Sequence, residues 1–255
     1  MDLLEELAAA RRVAFFTGAG ASTEPPSSLP DFRSARGLWN DRTLMEALTR
    51  STFLEDPAGF WAMFKDLFMP WKAAVPNEVH RAPARLSRLG RQVAVATQNI
   101  DGLDMRCSSG YPVFEVHGHL RTMSCPRCAS RVSTDLVPAQ GPPLCRCGAV
   151  FKPDVVLFDD ALDWDGVFLP ARDWIATADL LVVVGTSLTV GPANQLALDR
   201  PQGCPMILLN RDPTPFDREA ALVLHKPAGE VLSRALDALE GKAGAAEALA
   251  RWLSE

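Results

Sequence analysis

The segment 12–22 reads RVAFFTGAGAS, and it sets the fold class of this chain. Its first five residues form a short apolar, β-rich run that breaks directly into the turn 17–22. A buried strand that enters a glycine turn begins the phosphate-binding loop of a doubly wound sheet. A plain tight turn can carry the same Gly-x-Gly pattern, so the assignment depends on the rest of the chain.

Nearly continuous apolar runs recur along the chain and predict further parallel strands. They cover Gln92–Thr97, Ala178–Gly185 and Cys204–Asn210, with shorter candidates at Val113–Val116 and Val155–Phe158. Unbroken runs are typical of strands that are buried on both faces of a parallel sheet. We therefore predict an α/β fold with a Rossmann-like, doubly wound parallel sheet. The amphipathic segment Gly229–Leu253 predicts one final helix.

Two insertions interrupt this pattern and predict a small second domain. Residues 37–88 carry large apolar residues at helical spacing and several prolines, which predicts a module of short helices. Residues 121–150 hold four cysteines and little apolar material, so a metal would have to stabilise them. We assign residues 1–36, 89–120 and 151–255 to the Rossmann-like domain, and the helical module 37–88 and zinc module 121–150 to the small domain.

The four cysteines of the second insertion predict a tetrahedral zinc site. Cys125 and Cys128 form a C-x₂-C pair, and Cys145 and Cys147 form a C-x-C pair, with sixteen residues between the two pairs. Four thiolates close the coordination sphere of zinc, which is typical of a structural site and leaves no open position for catalysis. The second pair is tighter than the commoner C-x₂-C spacing.

Polar residues follow the predicted strands at the edge where a parallel sheet binds its ligands. They are the segments Thr97-Gln98-Asn99-Ile100-Asp101 and Gly185-Thr186-Ser187-Leu188, and the single residue Asn210. Side chains at the carboxyl ends of parallel strands face the ligand crevice. Each segment alone also suits a turn or a loop cap, because Asn and Asp are common turn formers.

His117 is the candidate general base. It ends a β-rich run and is followed by Gly118, so its ring can approach a ligand without crowding. An imidazole that titrates near neutral pH is the natural base for a hydroxyl group. A lone histidine is often structural, and His119 is a nearby rival.

The glycine turn lacks the marks of a hydride-transfer site. The third glycine of the dehydrogenase fingerprint is absent, and no acidic residue ends a second strand about twenty residues later. Tyr111 is the sole tyrosine, so no Tyr-x₃-Lys pair exists. The loop instead runs through Ser22-Thr23-Glu24 to PDFRS (30–34), where Arg33 and Phe32 could place a cation and an aromatic ring over a nucleotide.

Composition limits the remaining possibilities. The 255 residues suffice for one large domain with a small inserted one, and the net charge of −5 gives no reason to expect nucleic-acid binding. The first twelve residues lack the pattern of a signal peptide, and no apolar run is long enough for a membrane span. We expect a cytoplasmic monomer in which Cys107 and Cys204 are buried, unreactive thiols rather than a disulfide.

Taken together, these motifs resemble those of the sirtuins, NAD-dependent protein-lysine deacylases, in their bacterial-type catalytic core. The matching motifs extend over nearly the whole chain. In order they are GAGAS (18–22), PDFRS (30–34), TQNID (97–101), EVHG (115–118), the four cysteines, KPDVVLF (152–158), GTSL (185–188), LLN (208–210) and AGEVL (228–232). The joint occurrence of TQNID, His117-Gly118 and the cysteine quartet is specific for this family.

The resemblance implies which residues bind each ligand. NAD, consumed as a co-substrate, would contact Gly18, Ala19, Gly20, Ser22, Thr23, Asp31, Phe32, Arg33, Gln98, Asn99, Ile100, Asp101, Gly185, Thr186, Ser187, Asn210 and Arg211. Its nicotinamide would enter a pocket built by Ala19, Phe32, Asn99, Ile100 and Asp101. The acyl-lysine peptide of a protein substrate would add as a β-strand between segments 155–158 and 188–191, against Val155, Val156, Phe158 and Leu188. The cysteine quartet would hold structural Zn²⁺.

The resemblance also implies a mechanism with His117, Asn99 and Asp101 as catalytic residues. The acyl carbonyl oxygen would attack the ribose C1′ as nicotinamide leaves. His117 would then act as base toward the ribose hydroxyls, so that the 2′ oxygen attacks the imidate carbon and water completes release of the amine and 2′-O-acyl-ADP-ribose. Phe32 would shield the reacting centre, and Arg33 would help hold the cofactor loop.

Four departures from the family pattern stand out. The loop 22–30 is two residues longer than usual, the usual GLH after TQNID reads Gly102-Leu103-Asp104, and the usual FGE reads Phe158-Asp159-Asp160. The stretch Phe60–Leu67 lacks the Tyr and Arg, three residues apart, of desuccinylating members. Its apolar character predicts acetyl or longer uncharged acyl groups. A salt contact from Lys65 is not favoured.

Two other functions remain open from the sequence. One is a mono-ADP-ribosyltransferase or weak NAD glycohydrolase on the same scaffold, against which His117 favours deacylation. The other is a catalytically inactive NAD- or zinc-binding interaction module. The presence of Asn99, Asp101 and His117 argues against that second alternative.

Overall fold

The computed structural model describes residues 2–31, 37–38 and 42–255. Its strands are β1 Arg12–Thr17, β2 Gln92–Thr97, β3 Val113–Glu115, β4 Gly118–Ser124, β5 Arg131–Ser133, β6 Lys152–Val155, β7 Leu180–Val184, β8 Met206–Leu209 and β9 Leu222–Leu224. Its α-helices are α1 Leu3–Ala9, α2 Arg42–Ala47, α3 Arg50–Glu55, α4 Pro57–Phe68, α5 Glu78–Arg88, α6 Leu103–Cys107, α7 Leu169–Ile175, α8 Ala228–Leu239 and α9 Ala245–Ser254. Short 3₁₀ turns include Ala19–Ser22, directly after β1.

The main sheet is parallel throughout and confirms the predicted fold class. Its six strands lie in the order β3-β2-β1-β7-β8-β9. The strand order therefore reverses beside β1, between the branch that runs to β3 and the branch that starts at β7. In doubly wound sheets this reversal opens a ligand crevice at the carboxyl ends of the strands.

Alternate residues of β1 explain why it reads as an unbroken apolar run. Val13 and Phe15 pack into a core with α1, α5 and α8 on one face of the sheet. Ala14 and Phe16 pack on the other face, in a core that includes Phe168 of the segment before α7. Because both faces are covered, every position of the strand favours an apolar side chain.

A third core unites the two insertions. The small sheet has the order β5-β4-β6 and is antiparallel. Trp61 and Phe64 of α4 are buried in the same cluster as Cys125 and Cys145. The Trp61 indole N–H also donates to the Phe151 carbonyl oxygen at 2.7 Å. The helical insertion thus supplies the apolar surface that the cysteine-bearing insertion lacks.

Two sequence predictions of secondary structure are wrong. The strand expected at Val155–Phe158 is Lys152–Val155, and it belongs to the small antiparallel sheet. It ends because the Leu157 N–H donates to the Asp160 carboxylate at 3.0 Å, which turns the chain away. The single helix expected at Gly229–Leu253 is two helices. Gly241 and Gly244, with φ of +76° and +70°, separate α8 from α9.

Across the described residues, the helices include none that is long and apolar enough to cross a bilayer.

Candidate active site

A cleft of about 830 Å³ opens where the strand order of the main sheet reverses. The ends of four parallel strands contribute Gly18, Gln98, Gly185 and Asn210 to its walls. It is large enough for a dinucleotide together with part of a second substrate. The topology that was read from the apolar runs therefore places the predicted motifs around one opening.

The floor of the cleft requires glycine where two loops cross. The Gly20 N–H donates to the Gly185 carbonyl oxygen at 2.8 Å. A Cβ on Gly20 would lie 2.7 Å from the Gly185 Cα, and Gly185 itself has a φ of +62°. Larger residues at either position would push the loops apart, so both glycines serve the close approach of backbone to ligand.

Asn99 is held in place by three hydrogen bonds. Its side-chain amide donates to the Gly18 carbonyl oxygen at 3.0 Å and to the Ser22 hydroxyl at 3.2 Å. Its backbone N–H donates to the Thr97 hydroxyl oxygen at 3.1 Å. These bonds join the end of β2 to the loop after β1, so the two predicted motifs GAGAS and TQNID form one unit.

Ser22 is also the centre of a buried polar cluster with Asp101 and His80. The Ser22 hydroxyl donates to Asp101 Oδ2 at 2.7 Å and lies 3.2 Å from His80 Nε2. The Asn77 backbone N–H donates to His80 Nδ1 at 3.2 Å, so the hydrogen of the neutral ring resides on Nε2 and points to Ser22. Burial lowers the pKa of His80 to about 4 and raises the pKa of Asp101.

His80 was not predicted from the sequence. It lies 58 residues from Ser22 along the chain and belongs to a helix that was predicted without a functional role. One local signal was present. Asn77 begins α5 as its N-cap, and His80 completes a capping box with it. This motif fixes the orientation of His80 relative to the first turn of α5.

His117 faces the cleft and is oriented by the end of β2. Its Nδ1 lies 3.1 Å from the backbone carbonyl oxygen of Gln98. Gly118 has a φ of +76°, and a Cβ there would lie 2.1 Å from the Asp154 carbonyl oxygen. The glycine therefore allows the tight turn between β3 and β4 that presents His117. His119 is absent from the cleft lining, and burial lowers its pKa.

Asp104 lies fully buried beneath the strand ends. Its Oδ2 accepts from the Thr17 hydroxyl at 3.1 Å, while its Oδ1 is buried without a hydrogen-bond partner. Thr17 and Thr97, which end β1 and β2 at the same level, have their hydroxyl oxygens 2.7 Å apart. Burial raises the pKa of Asp104 to about 6.

One end of the cleft has an apolar wall. Leu48, Phe64 and Phe68 of the helical insertion contribute to it, as do Ile100, Val155, Val156, Leu157 and Phe158. Lys65 points away, because its ammonium group donates to the carbonyl oxygens of Pro138, Ala139 and Gly141 at 3.1–3.3 Å.

Leu188 departs from its expected place in the peptide groove. Its side chain is buried in the second core and is absent from the cleft lining. Its N–H donates to the Thr186 hydroxyl oxygen at 3.2 Å, and its carbonyl oxygen accepts from the Asn194 amide at 3.1 Å. Both backbone groups are therefore engaged within the protein. Val190 and Gly191 line the cleft instead.

The other end of the cleft gathers the remaining expected cofactor residues. Ala19, Thr23, Asp31, Thr186, Ser187 and Arg211 all line it. Ser22 and Asp101 line a small adjoining cavity with Ala19, Asn99 and Ile100. Lys226, Pro227 and Ala228 also line the cleft and were not expected from the sequence. Phe32 and Arg33 lie outside the described residues.

The four cysteines are arranged as a metal site would require. Their Sγ atoms all lie within 4.8 Å of one another. Cys125 Sγ lies 3.5 Å from Cys147 Sγ, and Cys128 Sγ lies 3.6 Å from Cys145 Sγ. Tetrahedral zinc with Zn–S bonds of about 2.3 Å has S···S separations near these values. The quartet therefore fits Zn²⁺, including the tight Cys145-x-Cys147 pair.

Comparisons with known proteins agree with this arrangement. Residues 18–192 match the family model described as the Sir2 family. The chain is 45% identical over 213 residues to an NAD-dependent protein deacetylase of Chromobacterium violaceum, covering 82% of this chain and 85% of that protein. It is 40% identical over 235 residues to an NAD-dependent protein deacetylase of Bacillus subtilis, covering 87% and 92%.

Solved structures show the same similarity. A mutant Sir2 homologue in complex with ADP-ribose matches with a TM-score of 0.86 at 35% identity, covering 95% of this chain and 99% of that one. A complex of Sir2 with a p53 peptide and NAD⁺ matches with a TM-score of 0.82 at 31% identity, covering 94% and 99%. Sir2Tm bound to a propionylated peptide matches with a TM-score of 0.81 at 30% identity, covering 93% and 97%.

Proposed function

The chain belongs to the Sir2 family, and we propose that it is an NAD-dependent protein-lysine deacylase, with acetyl-lysine as its principal substrate. The observation that carries this proposal is the placement of His117 in the same cleft as the loop Gly18–Thr23 and the strand-end residues around Asn99. A phosphate-binding loop and a base in one cleft are what acyl transfer to a nucleotide sugar requires.

NAD⁺ supplies the ADP-ribose that accepts the acyl group, and nicotinamide leaves. The chain's own loop residues Gly18, Ala19 and Gly20 would face the pyrophosphate, since backbone can approach it closely there. Thr23, Asp31, Gln98, Gly185, Thr186, Ser187, Asn210 and Arg211 would complete the cofactor contacts. Lys226 also lines the cleft, with its ammonium group bonded to the Trp252 carbonyl oxygen at 2.9 Å.

Nicotinamide would bind where the cleft meets the small adjoining cavity, since Ala19, Asn99 and Ile100 line both. Asn99 and Asp101 give it a polar edge, and Ala19 and Ile100 give it apolar walls. Ser22 orients both polar groups through its hydrogen bonds. Phe32 and Arg33 keep their proposed roles at the reacting centre and in the cofactor loop.

His117 would act as the general base. A carbonyl oxygen can only accept, so the contact with Gln98 places the ring hydrogen on Nδ1 and the lone pair on Nε2. That nitrogen can take the proton from a ribose hydroxyl of the bound co-substrate. Asn99 and Asp101 would assist by fixing the leaving group.

The acylated peptide would lie at the apolar end of the cleft. Val155, Val156 and Phe158 line one side of this channel, with Val190 and Gly191 among the other lining residues. An extended peptide between two backbone segments gains main-chain hydrogen bonds on both sides. The acyl chain would then point toward the wall of Leu48, Phe64 and Phe68.

Zinc would have a structural role, held by Cys125, Cys128, Cys145 and Cys147. Four protein ligands leave no position for a substrate. We also propose the domain division given above, since the third core joins the insertions 37–88 and 121–150. A cytoplasmic monomer without nucleic-acid partners accords with the cysteine usage and the net charge of −5.

The direct test is incubation of the protein with NAD⁺ and an acetyl-lysine peptide. We expect nicotinamide, deacetylated peptide and O-acetyl-ADP-ribose in equal amounts. Nicotinamide release without deacetylation would contradict the proposal and favour the glycohydrolase or ADP-ribosyltransferase. An absence of nicotinamide would favour an inactive interaction module.

A further inference from the structure

All four residues of the segment 157–160, here called the strap, line the cleft. Asp159 of the strap has a φ of +64°, in the left-handed region that favours glycine. The family pattern has glycine at this position. A residue held in a sparsely populated backbone region points to a role that outweighs the strain.

The Asp159 carboxylate binds the first turn of α3 with both oxygens. Its Oδ1 accepts from the Arg50 backbone N–H at 2.7 Å, and its Oδ2 accepts from the Ser51 hydroxyl at 2.6 Å. Glycine would relieve the backbone strain but would lose both hydrogen bonds. The side chain thus links the strap to the helical insertion.

Backbone pairing reinforces this link. The Phe158 N–H donates to the Leu48 carbonyl oxygen at 3.1 Å, and the Arg50 N–H donates to the Phe158 carbonyl oxygen at 3.0 Å. Thr49 and Phe158 form an isolated parallel bridge. Two of these residues, Leu48 and Phe158, line the cleft, so the pairing joins the strap and the helical insertion into one continuous part of the cleft lining.

Asp160 ties the strap to the small sheet. Its carboxylate accepts from the Leu157 backbone N–H at 3.0 Å and pairs with the Lys152 ammonium group at 2.7 Å. Lys152 is the first residue of β6. The strap is therefore fixed to α3 through Asp159, with a longer Arg50–Asp160 ion pair at 3.7 Å, and to β6 through Asp160.

We propose that Asp159 is a positioning residue for the peptide substrate: it fixes the strap against α3 so that the acylated peptide meets a preformed channel. This inference rests on the proposed function. A channel wall that is already ordered avoids the entropic cost of ordering it on binding. The benefit falls on the peptide rather than on NAD, because the strap directly follows Val155 and Val156 of the apolar wall and its hydrogen bonds join it to the helical insertion and not to the glycine loop.

The test compares Asp159→Gly with Asp159→Asn. Asparagine tolerates the left-handed region and can still accept from the Arg50 N–H, while its amide can donate to Ser51. We expect Asp159→Gly to raise the peptide KM about fivefold to tenfold, with the KM for NAD within about twofold, since charge-assisted hydrogen bonds are lost. Asp159→Asn should restore most of the peptide KM.

The matched control is Asp56→Gly. Asp56 is exposed, lies outside the cleft lining, and accepts from the Gly59 N–H at 2.9 Å as the cap of α4. The variant Asp56→Gly therefore removes a capping carboxylate from the same helical insertion, and it should leave the peptide KM unchanged. Amide hydrogen exchange adds a readout that does not need turnover. We expect faster exchange at Arg50 and Phe158 in Asp159→Gly.

The outcomes separate the two proposals. An active wild-type protein whose Asp159→Gly variant keeps the wild-type peptide KM would overturn the positioning role alone. Equal increases in the KM for peptide and for NAD, or no recovery in Asp159→Asn, would also contradict it. A wild-type protein that deacylates no peptide would overturn the proposed function and this inference together.

Discussion

His117 Nδ1 lies 3.1 Å from the backbone carbonyl oxygen of Gln98. The Gln98 side chain in turn donates to the Thr186 hydroxyl at 2.9 Å. The orientation of His117 is therefore set by the end of β2 and by the loop after β7. These two strands, β2 and β7, flank β1 in the main sheet. The base is fixed by the same strand ends that form the crevice.

Replacing His117 should abolish most of the deacylation while leaving NAD binding nearly intact. We expect His117→Ala to lower the rate of acyl-ADP-ribose formation by about 10²- to 10⁴-fold, the usual contribution of a general base. Single-turnover product formation and NAD titration measure the two effects separately. His119→Ala is the neighbouring control, because His119 does not line the cleft. A loss of only a few-fold in His117→Ala would contradict the role of base.

Asp104 should make the protein less stable as the pH rises. Its folded-state pKa of about 6 lies above its ordinary value. The folded state therefore holds the proton more tightly than the unfolded state does. The free-energy cost of burying the charged Asp104 carboxylate is absent below about pH 4. It grows between about pH 4 and pH 6, and above pH 6 it lowers the free energy of unfolding by about 3 kcal/mol.

Asp104→Asn tests this directly by urea unfolding at several pH values. We expect the unfolding free energy of the variant, relative to wild type, to increase by about 2 kcal/mol between pH 4 and pH 7. His80 has the opposite effect, because its lowered pKa makes the folded protein more stable as the pH rises toward neutrality. Both proteins contain His80, so its effect cancels when their unfolding free energies are compared. A difference that does not change with pH would show that Asp104 has the same pKa in the folded and the unfolded protein, and would contradict the effect of burial.

The apolar wall should restrict the acyl groups that are removed. Leu48, Phe64 and Phe68 offer no charge to a succinyl carboxylate, and the ammonium group of Lys65 binds carbonyl oxygens elsewhere. Burying an unpaired carboxylate is costly. We expect kcat/KM for acetyl-lysine to exceed that for succinyl-lysine by more than about 100-fold.

A panel of acetyl, propionyl, butyryl and succinyl peptides measures this preference. The variant Lys65→Ala is the control, since a lysine that does not reach the cleft should leave the ratio of acetyl to succinyl activity unchanged. Comparable turnover of the succinyl peptide, or a changed ratio in Lys65→Ala, would contradict the assignment of the wall.

The sequence predicted those features that depend on local pattern. The unbroken run around Phe15 and Phe16 predicted a strand buried on both faces, and the polar segments after the strands predicted one edge of binding residues. These inferences hold because a parallel sheet places the ends of its strands together. The metal-site arrangement of Cys125, Cys128, Cys145 and Cys147 was likewise predicted from their spacing in the sequence.

Features that join distant segments could not be read in this way. Asp104 meets Thr17 across 87 residues, and Asp159 meets Ser51 across 108. Neither contact leaves a periodic pattern in the sequence. The prediction of a strand at 155–158 was wrong for a related reason. An apolar run does not reveal that the carboxylate of Asp160, two residues after it, will accept a hydrogen bond from Leu157 and form a turn.

Removing zinc should disturb the acyl wall as well as the zinc module. Cys125 and Cys145 are buried in the same core as Phe64 and Phe68, which line the cleft. Without a metal, close thiolates would repel one another and the insertion would lose its main source of stability. We expect about one zinc per chain in freshly purified protein, and loss of deacylation together with changed tryptophan fluorescence after chelation. Cys128→Ser should reproduce these changes, whereas Cys107→Ser, the same substitution at a thiol outside the quartet, should keep its zinc. Freshly purified protein without zinc, or fluorescence that chelation leaves unaltered, would contradict the structural role assigned to the quartet.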